Sequence, residues 1–240
     1  MIELRDVSFA YEAGRAALDG VSLRIAPGEA VGLIGANGAG KSTLMKALLG
    51  LIEPRGEVLV DGVRVEKRTL ANIRRKLGYV LQDADDQMFM PTVLEDMLFG
   101  PMNYGLSREE AEARADAALE RLGLMELKHR HNHRLSGGEK RMAAIATILA
   151  MRPEAILMDE PTSNLDPRNR RRVIEIVREL PQTRLIATHD LDMVLDTCDR
   201  VLLLADGRLV ADGPAEALLR DRALLEANGL ELPLSLQSGE

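Results

Sequence analysis

Hydrophobic positions in the first half of the chain form short apolar runs separated by turn residues. Residues 21–25 alternate apolar and polar side chains with a period of two, which is typical of a half-buried strand. Residues 30–34 are continuously apolar and are followed by glycine, which is typical of a buried strand. Residues 41–50 then carry apolar side chains at helical spacing and predict a helix that ends near Gly50.

The same pattern predicts five further strands. They are the apolar runs at residues 57–60, 78–81, 155–158, 185–188 and 201–204. Because helices or turns separate most of these runs, the chain is predicted to have an α/β architecture with a largely parallel central sheet.

One section of the chain departs from this alternation. Residues 91–151 contain helical patterns and no convincing strand, and Ser107 with Glu110 forms a capping box at the start of one helix. We therefore predict one domain of residues 1–240, in which residues 1–90 and 152–220 form the core and residues 91–151 an inserted helical subdomain. The tail, residues 221–240, is expected to pack on the body and to fray at its end.

Composition and charge limit the functions that the chain can have. Apolar residues make up 46% of it, enough for a full core, and the net charge of −7 gives no general attraction to nucleic acid. Aromatic residues are only 2%, so platforms for stacked bases are not expected. The single cysteine, Cys198, and the charged start of the chain favour a cytosolic protein without a signal peptide. No apolar run approaches the roughly 18 residues of a membrane span, so we expect no bilayer crossing.

A phosphate-binding motif lies between the strand at 30–34 and the following helix. Residues 35–42 fit the pattern G-x-x-x-x-G-K-[ST], and the strand and helix on either side are the context that this motif requires. Its glycines let backbone N–H groups surround phosphate oxygens at a positive helix end. Lys41 is predicted to contact the β- and γ-phosphates, and the Ser42 hydroxyl to bind Mg²⁺.

Two acids follow the predicted strand at residues 155–158. Asp159 is placed to hold Mg²⁺, directly or through water, and Glu160 to accept a proton from an attacking water as general base. Without the phosphate loop, an ordinary pair of surface acids at a strand end is an equal explanation. The predicted strand at residues 185–188 leads into His189. A histidine at the carboxyl end of a parallel strand lies near the ligand crevice of the sheet, so His189 is predicted to contact the γ-phosphate or the attacking water.

Residues 135–139, Leu-Ser-Gly-Gly-Glu, resemble the signature of ATP-binding-cassette (ABC) ATPases, in which glutamine usually stands where this chain has Glu139. The other motifs of the family stand in order around it, over roughly residues 2–213. The resemblance implies a P-loop NTPase (RecA-like) fold, with an N-terminal antiparallel β portion beside the parallel sheet, and a Mg-dependent ATPase. It assigns catalytic roles to Glu160, His189 and Gln82, Mg²⁺ ligation to Ser42, Gln82 and Asp159, and stacking on adenine to Tyr11. The nucleotide-binding residues that it implies are Tyr11, Gly35, Asn37, Gly38, Gly40, Lys41, Ser42, Thr43, Ser136 and Gly138.

The resemblance also implies partners. In the family, the residues matching Ser136 and Gly138 bind the γ-phosphate of ATP held by a second cassette, so two subunits share two sites. Residues 82–89 and 91–96 are similar to the ATPases of energy-coupling-factor importers, and residues 99–101, 150–154 and 211–214 are most similar to the cobalt/nickel branch. A membrane coupling subunit and a substrate-binding membrane subunit are therefore expected, with the chain bound to the cytoplasmic face of the membrane. Whether the second cassette is a second copy or a paralogue, and whether the substrate is cobalt, nickel or a vitamin, stays open.

Several features have competing explanations. The segment with Asp83, Asp85 and Asp86, followed by Met88, Phe89 and Met90, is interpreted as a docking segment for coupling helices, or else as a solvated acidic turn whose apolar residues lie in the core. The alternating His129, His131 and His133 suggest a metal site, although a polar connector explains them better. The arginine run at 168–172 is interpreted as a solvated helix face and Cys198 as a packing residue. The rival functions are the ATPase of another ABC importer and a soluble cassette ATPase that acts on DNA or ribosomes.

Overall fold

Strands and helices alternate along most of the chain. The computed structural model describes residues 1–11, 14 and 16–237, which form ten strands and eleven α-helices. The strands are β1 (Ile2–Phe9), β2 (Leu18–Ile25), β3 (Ala30–Ile34), β4 (Arg55–Val60), β5 (Val63–Arg64), β6 (Leu77–Val80), β7 (Ala155–Asp159), β8 (Thr183–Ala187), β9 (Arg200–Ala205) and β10 (Arg208–Pro214). The helices are α1 (Lys41–Leu48), α2 (Leu70–Lys76), α3 (Ala84–Gln87), α4 (Val93–Asn103), α5 (Arg108–Leu122), α6 (Gly137–Ala150), α7 (Pro167–Arg178), α8 (Leu191–Thr197), α9 (Ala215–Arg220), α10 (Arg222–Ala227) and α11 (Leu234–Gln237).

The chain divides into two compact units. The first comprises residues 1–74 with 181–240, and the second comprises residues 75–180. The predicted tail, residues 221–240, belongs to the first unit and contains α10 and α11. Residues 238–240, its predicted frayed end, lie outside the described part of the chain.

An antiparallel sheet in the first unit has the strand order β2-β1-β4-β5. β1 buries Ile2 and Leu4, and then Val7, because a bulge at Asp6, whose φ is 50°, shifts the register between Leu4 and Val7. An extra residue in one strand turns the following side chains to the other face of the sheet. This break in the alternation is why the sequence pattern did not predict β1, although the antiparallel β portion that the resemblance implied is present.

Parallel pairing in the first unit places β3 between β9 and β8. All five residues of β3 are buried, as its continuously apolar sequence predicted. Leu33 of β3 lies opposite Ala187 of β8 and Leu202 of β9. The three strands therefore end at one edge, and the loops that follow β3 and β8 leave the sheet side by side.

The second unit contains one parallel pair, β6 with β7, and the helices α3 to α7. Residues 91–151, all of which the structure describes, form α4, α5, α6 and two short 3₁₀ helices, without a strand. The capping box of Ser107 and Glu110 at the start of α5 is present as predicted. The predicted α/β class, with parallel strands and an antiparallel β portion, is confirmed.

Each predicted strand is present, with ends that differ by at most three residues, and α1 ends at Leu48, two residues before Gly50. The pattern missed β5 and β10, the second strands of two tight hairpins. Their two-residue turns are Asp61-Gly62 and Asp206-Gly207, and all four residues have positive φ. Asp-Gly is a strong hairpin signal in this geometry, so the sequence carried the information.

Among the described residues, no helix combines the length and the apolar character that a membrane crossing requires.

Candidate active site

The phosphate loop in the first unit joins β3 to α1 and depends on glycine at two positions. Gly35 and Gly40 have φ of 152° and 110°. A Cβ at Gly35 would lie 2.2 Å from the carbonyl oxygen of Leu204, and one at Gly40 would lie 2.5 Å from that of Ala17. Since carbon and oxygen atoms do not approach so closely, neither position accepts a side chain. Because no side chain fits at these two positions, the backbone N–H groups of the loop can contact a phosphate directly.

Lys41 begins α1 and is only 8% exposed. Its Nζ donates to the carbonyl oxygens of Gly35 at 2.6 Å and of Ala36 at 3.2 Å. The ammonium group is therefore held against the loop that is predicted to surround the phosphates. Neutral carbonyl groups are weaker partners for an ammonium than an anionic phosphate, so a bound nucleotide is expected to take over these contacts.

The first turn of α1 carries the other predicted ligands of the nucleotide. Its N-cap residue is Gly40, which has no side chain to cap the helix. The N–H groups at this end, together with the helix dipole, favour an anion. Ser42 is exposed beside them, and Thr43 is buried. A serine hydroxyl at this position can bind a hard cation such as Mg²⁺.

Tyr11, the predicted adenine contact, lies next to this turn. Its ring is 56% exposed and packs edge-to-face on Phe9, with the ring centroids 5.0 Å apart. Its hydroxyl is 3.4 Å from the Thr43 Oγ1, and the Lys46 Nζ is 5.6 Å from the ring centroid. An exposed ring face so close to the phosphate loop suits stacking on a base, which stays a prediction.

His189 follows β8 and is exposed. Its neighbour Thr188 donates its backbone N–H to the carbonyl oxygen of Leu33 at 3.3 Å. Asp190 caps α8 by accepting from the backbone N–H of Met193 at 3.0 Å. Because both neighbours of His189 are held by hydrogen bonds, His189 lies at the edge of the sheet where the phosphate loop also begins. Its predicted contact with the γ-phosphate or the attacking water therefore fits its position in the first unit.

The two predicted acids lie in the second unit at the end of β7. Asp159 is 5% exposed and Glu160 9% exposed. The Tyr79 hydroxyl donates to Oδ2 of Asp159 at 3.2 Å. Burial, and then the charge of Asp159, raise the pKa of Tyr79, so the phenol stays a donor at neutral pH. Tyr79 orients this carboxylate, a role that no local sequence pattern predicted.

Gln82 follows β6, the parallel neighbour of β7, at the same edge of that strand pair. A cavity of about 660 Å³ in the second unit is lined by Gln82, Asp159 and Tyr79, together with residues 163–165. Carboxylate and amide oxygens are ligands that Mg²⁺ prefers. Asp159 and Gln82, each lining one cavity, therefore suit the cation that the resemblance implied.

The signature residues begin α6. The Ser136 side chain accepts from the backbone N–H of Glu139 at 3.3 Å, and Oε2 of Glu139 accepts from the backbone N–H of Ser136 at 2.8 Å. This capping box leaves Ser136 exposed at the helix start. Gly138 is buried, and a Cβ there would lie 2.2 Å from the side chain of Asn169 on α7.

Glu139, the departure from the family signature, has a structural role here. Besides closing the capping box, its Oε1 accepts from Arg130 at 2.7 Å. The backbone N–H of Ser136 and the nearby Arg130 lower the pKa of Glu139. The carboxylate is therefore ionised and neutralised within this chain, which reduces the repulsion that an extra negative charge would exert on a nearby phosphate.

The acidic segment after Gln82 does not expose three free carboxylates. Asp83 caps α3 by accepting from the backbone N–H of Asp85 at 2.8 Å. Asp85 forms an ion pair with Lys140 of α6. The structure therefore shows a partly neutralised turn, in which Asp86 is an exposed acid.

Apolar side chains behind this turn divide between core and surface. Met88 is buried, whereas Phe89 is 61% exposed and packs edge-to-face on Phe99 of α4 at 4.9 Å between ring centroids. The buried carboxylate of Asp96 in α4 accepts from the backbone N–H groups of Phe89 at 3.2 Å and Met90 at 3.1 Å. Asn132 also donates to Asp96. This network holds the exposed aromatic pair in place.

The remaining sequence features have modest roles. The rings of His131 and His133 lie 5.4 Å apart, and the described residues include no group of three or more His, Cys, Asp or Glu arranged to hold a metal ion. Arg172 of the arginine run donates to the carbonyl oxygen of Gly123 after α5 at 3.2 Å. Cys198 is buried, and burial raises the pKa of its thiol to about 11, which suits a packing residue.

Comparison with known proteins supports the predicted ABC ATPase family. Residues 18–163 match the family model described as ABC transporter. The chain is 46% identical over 239 residues to the energy-coupling factor transporter ATP-binding protein EcfA of Methanothermobacter thermautotrophicus, covering 97% of this chain and 77% of that protein. It is 44% identical over 234 residues to the cobalt import ATP-binding protein CbiO of Rhodobacter capsulatus, covering 95% of this chain and 84% of that protein.

Solved structures show the same fold. The protein cbiO1 from Clostridium perfringens, described as part of the ABC transporter complex cbiONQ, superposes with a TM-score of 0.84 at 33% identity, covering 94% of this chain and 93% of that one. A dimeric ATP-binding cassette in a post-hydrolysis state, bound to ADP and Pi, gives a TM-score of 0.79 at 30% identity, covering 90% of this chain and 99% of that one.

Proposed function

Since the chain belongs to the ABC transporter ATP-binding family, we propose that it hydrolyses Mg-ATP as one of two paired cassettes and thereby drives an importer of the energy-coupling-factor type. The observation that carries this proposal is the phosphate loop. It excludes side chains at Gly35 and Gly40 and holds the Lys41 ammonium against its own backbone. A loop built in this way is suited to the phosphates of a nucleotide.

The proposed roles of the site residues follow the order of the reaction. Lys41 and the first-turn N–H groups of α1 hold the β- and γ-phosphates. Ser42, Gln82 and Asp159 would hold Mg²⁺, which when bound offsets negative charge on the phosphates. Glu160 accepts the proton of the attacking water as general base, and His189 orients that water or the γ-phosphate.

A second cassette completes each site. Ser136 is exposed at the start of α6, where its hydroxyl and the helix end suit a phosphate from another molecule. The related cassette that was solved with ADP and Pi is a dimer. We propose that Ser136 and Gly138 of one subunit contact the γ-phosphate bound by the other. A second copy of this chain, as a homodimer, is the simplest partner.

The membrane coupling subunit is proposed to dock on Phe89 and Phe99. Two exposed aromatic rings held by a buried network form an apolar surface, and the exposed Asp86 precedes Phe89 closely in sequence. A coupling helix with apolar residues and an arginine would complement both features. This docking would bind the chain peripherally to the cytoplasmic face of the membrane, together with a substrate-binding membrane subunit.

The proposed substrate is a divalent transition metal ion, cobalt or nickel. Support comes from the relative named as a cobalt import protein and from the similarity to cbiO1. The relative named EcfA carries no metal in its name, so another nutrient, such as a vitamin, is the second candidate. Uptake of radioactive Co²⁺ and Ni²⁺ by cells that express the complete transporter, compared with uptake of labelled vitamins, decides between them.

Phosphate release by the purified chain tests the proposed chemistry. Glu160→Gln should retain Mg-ATP binding and lose turnover by about 100-fold or more, because an amide does not accept the proton. Glu154→Gln is the matched control, since Glu154 is exposed just before β7, at the opposite end of the strand. Near wild-type turnover in Glu160→Gln would reject Glu160 as the base.

A further inference from the structure

The backbone of Gln82 is attached to the signature helix α6 by one buried arginine. Arg141 of α6 is 4% exposed. Its Nη1 donates to the carbonyl oxygen of Leu81 at 2.6 Å, and its Nη2 donates to the carbonyl oxygen of Gln82. Two donors of one planar guanidinium group thus hold two successive peptide units, which fixes the backbone on both sides of the Gln82 Cα.

A second connection to α6 runs through Gln87 of α3. Gln87 accepts from the backbone N–H of Leu81 at 3.0 Å through Oε1. Its Nε2 donates to the carbonyl oxygen of Ala144 at 2.7 Å and to the Thr147 Oγ1 at 3.0 Å, both on α6. The N–H and the C=O of Leu81 are therefore both bound, directly or through Gln87, to the helix that begins at the signature.

Arg141 is a costly residue for a purely packing role. Burial lowers the pKa of its guanidinium group, a desolvation that the charge of Asp83 only partly opposes. Its Nε has no hydrogen-bond partner among the described residues. An apolar side chain of similar volume would fill this space without desolvating a charge. The two carbonyl contacts are what an apolar residue would lack.

Arg141 also lies on the buried face of α6 together with Gly138, three residues earlier, which is one helical turn away. The helix start that carries Ser136 and Gly138 and the backbone of Gln82 therefore belong to one hydrogen-bonded assembly in the second unit. A movement of the signature helix would be transmitted to Gln82 through this contact.

We propose that Arg141 is a positioning residue that holds the Gln82 side chain in the geometry needed to bind the nucleotide-associated metal ion and that couples this geometry to the signature helix. The inference rests on the proposed role of Gln82 as a metal ligand. Outer contacts that orient metal ligands typically change metal affinity by about 10- to 100-fold when they are removed.

The test measures Mn²⁺ affinity of the full-length chain with ATP by electron paramagnetic resonance of free Mn²⁺. All variants carry Glu160→Gln, so that ATP is not consumed. Arg141→Met should weaken Mn²⁺ binding by about tenfold. Arg141→Lys should weaken it less than Arg141→Met does, since an ammonium group can still donate to one of the two carbonyl groups although it lacks the fork that reaches both. In a Gln82→Ala background, Arg141→Met should change Mn²⁺ affinity no further.

Lys140→Met is the matched control, because the adjacent cation of α6 pairs with Asp85 rather than with Leu81 or Gln82; its Mn²⁺ affinity should be unchanged. If Arg141→Met lowers Mn²⁺ affinity equally in the Gln82 and Gln82→Ala backgrounds, the inference is overturned. The arginine would then affect Mn²⁺ binding by stabilising the second unit in general and not by positioning Gln82. Unchanged affinity in Arg141→Met, or in folded Arg141→Lys if the methionine variant does not fold, would also overturn it. If Gln82→Ala alone has no effect, Gln82 is not a ligand and the inference fails with it. Failure of the parent protein to bind Mn-ATP would instead reject the proposed function.

Discussion

Replacing Glu139 with glutamine would restore the usual family signature and remove one charge from the capping box of α6. The carboxylate accepts from the backbone N–H of Ser136 at 2.8 Å and from Arg130 at 2.7 Å. Glutamine keeps one acceptor oxygen and loses the charge. The geometry therefore predicts that Glu139→Gln lowers the free energy of unfolding, because glutamine retains the helix cap but not its electrostatic part.

Two contributions set the expected loss in the free energy of unfolding. A negative charge in the first turn of a helix contributes about 0.3–1 kcal/mol, and a partly exposed ion pair about 0–1 kcal/mol. Because the Glu139 side chain is 31% exposed and Arg130 is 47% exposed, screening by solvent keeps both contributions small. We expect a loss of about 1 kcal/mol at pH 7, which for a chain of this size lowers Tm by roughly 2–4 °C.

The effect has a defined pH dependence. The pKa of Glu139 is lowered from its ordinary value of 4.5, chiefly by the backbone N–H of Ser136. A carboxylate whose folded pKa is lowered stabilises the fold above the unfolded pKa, and this contribution is lost as the pH falls through the folded value. The difference between wild type and Glu139→Gln should therefore be constant from pH 8 to about pH 5 and shrink below 4.5.

Urea unfolding at several pH values, followed by circular dichroism, measures this difference. Glu110→Gln is the matched control, since Glu110 closes the same type of capping box with Ser107 but has no arginine within hydrogen-bond distance in the part of the chain that the structure describes. Its loss of stability should be the smaller of the two. A difference for Glu139→Gln that stays unchanged between pH 7 and pH 4 would refute the reasoning, since it would not depend on charge.

Three further predictions concern the nucleotide, the buried network and the membrane partner. Lys41→Ala should weaken ATP binding by at least tenfold in a fluorescent-nucleotide titration, because it removes the cation held against the phosphate loop; unchanged affinity would contradict this role. Asp96→Ala should lower the free energy of unfolding by about 2–4 kcal/mol, because the part-buried backbone N–H groups of Phe89 and Met90 lose this acceptor and Asn132 loses one acceptor while keeping the carbonyl oxygen of Met90; a loss below 1 kcal/mol in urea would contradict it. Phe89→Ser should abolish co-purification with the membrane coupling subunit while ATP binding persists, whereas intact co-purification would place the docking surface elsewhere.

The sequence predicted the elements whose determinants are local. β3 and the phosphate loop could be predicted because a buried apolar run, fixed glycines and a helix start follow one another directly. The two Asp-Gly hairpins were also encoded locally and were overlooked. β1 was not predictable from alternation alone, because the bulge at Asp6 moves Val7 onto the face that the pattern assigned to solvent.

Other parts of the site depend on partners far apart in sequence. Tyr79 and Asp159 are 80 residues apart, and Arg141 and Leu81 are 60 residues apart, so no local spacing indicates their contacts. A partial signal existed for Arg141, which shares a helical face with Gly138 and Ile145, and a cation on a buried face requires acceptors. Asp85 could not be distinguished from its neighbours, because its pairing with Lys140 depends on how α3 packs on α6.

Two cassettes are proposed to share each ATP between the phosphate loop of one and Ser136 of the other. Light scattering coupled to size-exclusion chromatography of Glu160→Gln, with and without Mg-ATP, measures this directly. We predict a monomer without nucleotide, a dimer with Mg-ATP, and a monomer in both conditions when Ser136→Arg is added, because the larger side chain would occupy the space for the facing phosphate. A dimer that forms equally without nucleotide, or that persists with Ser136→Arg, would contradict the shared site.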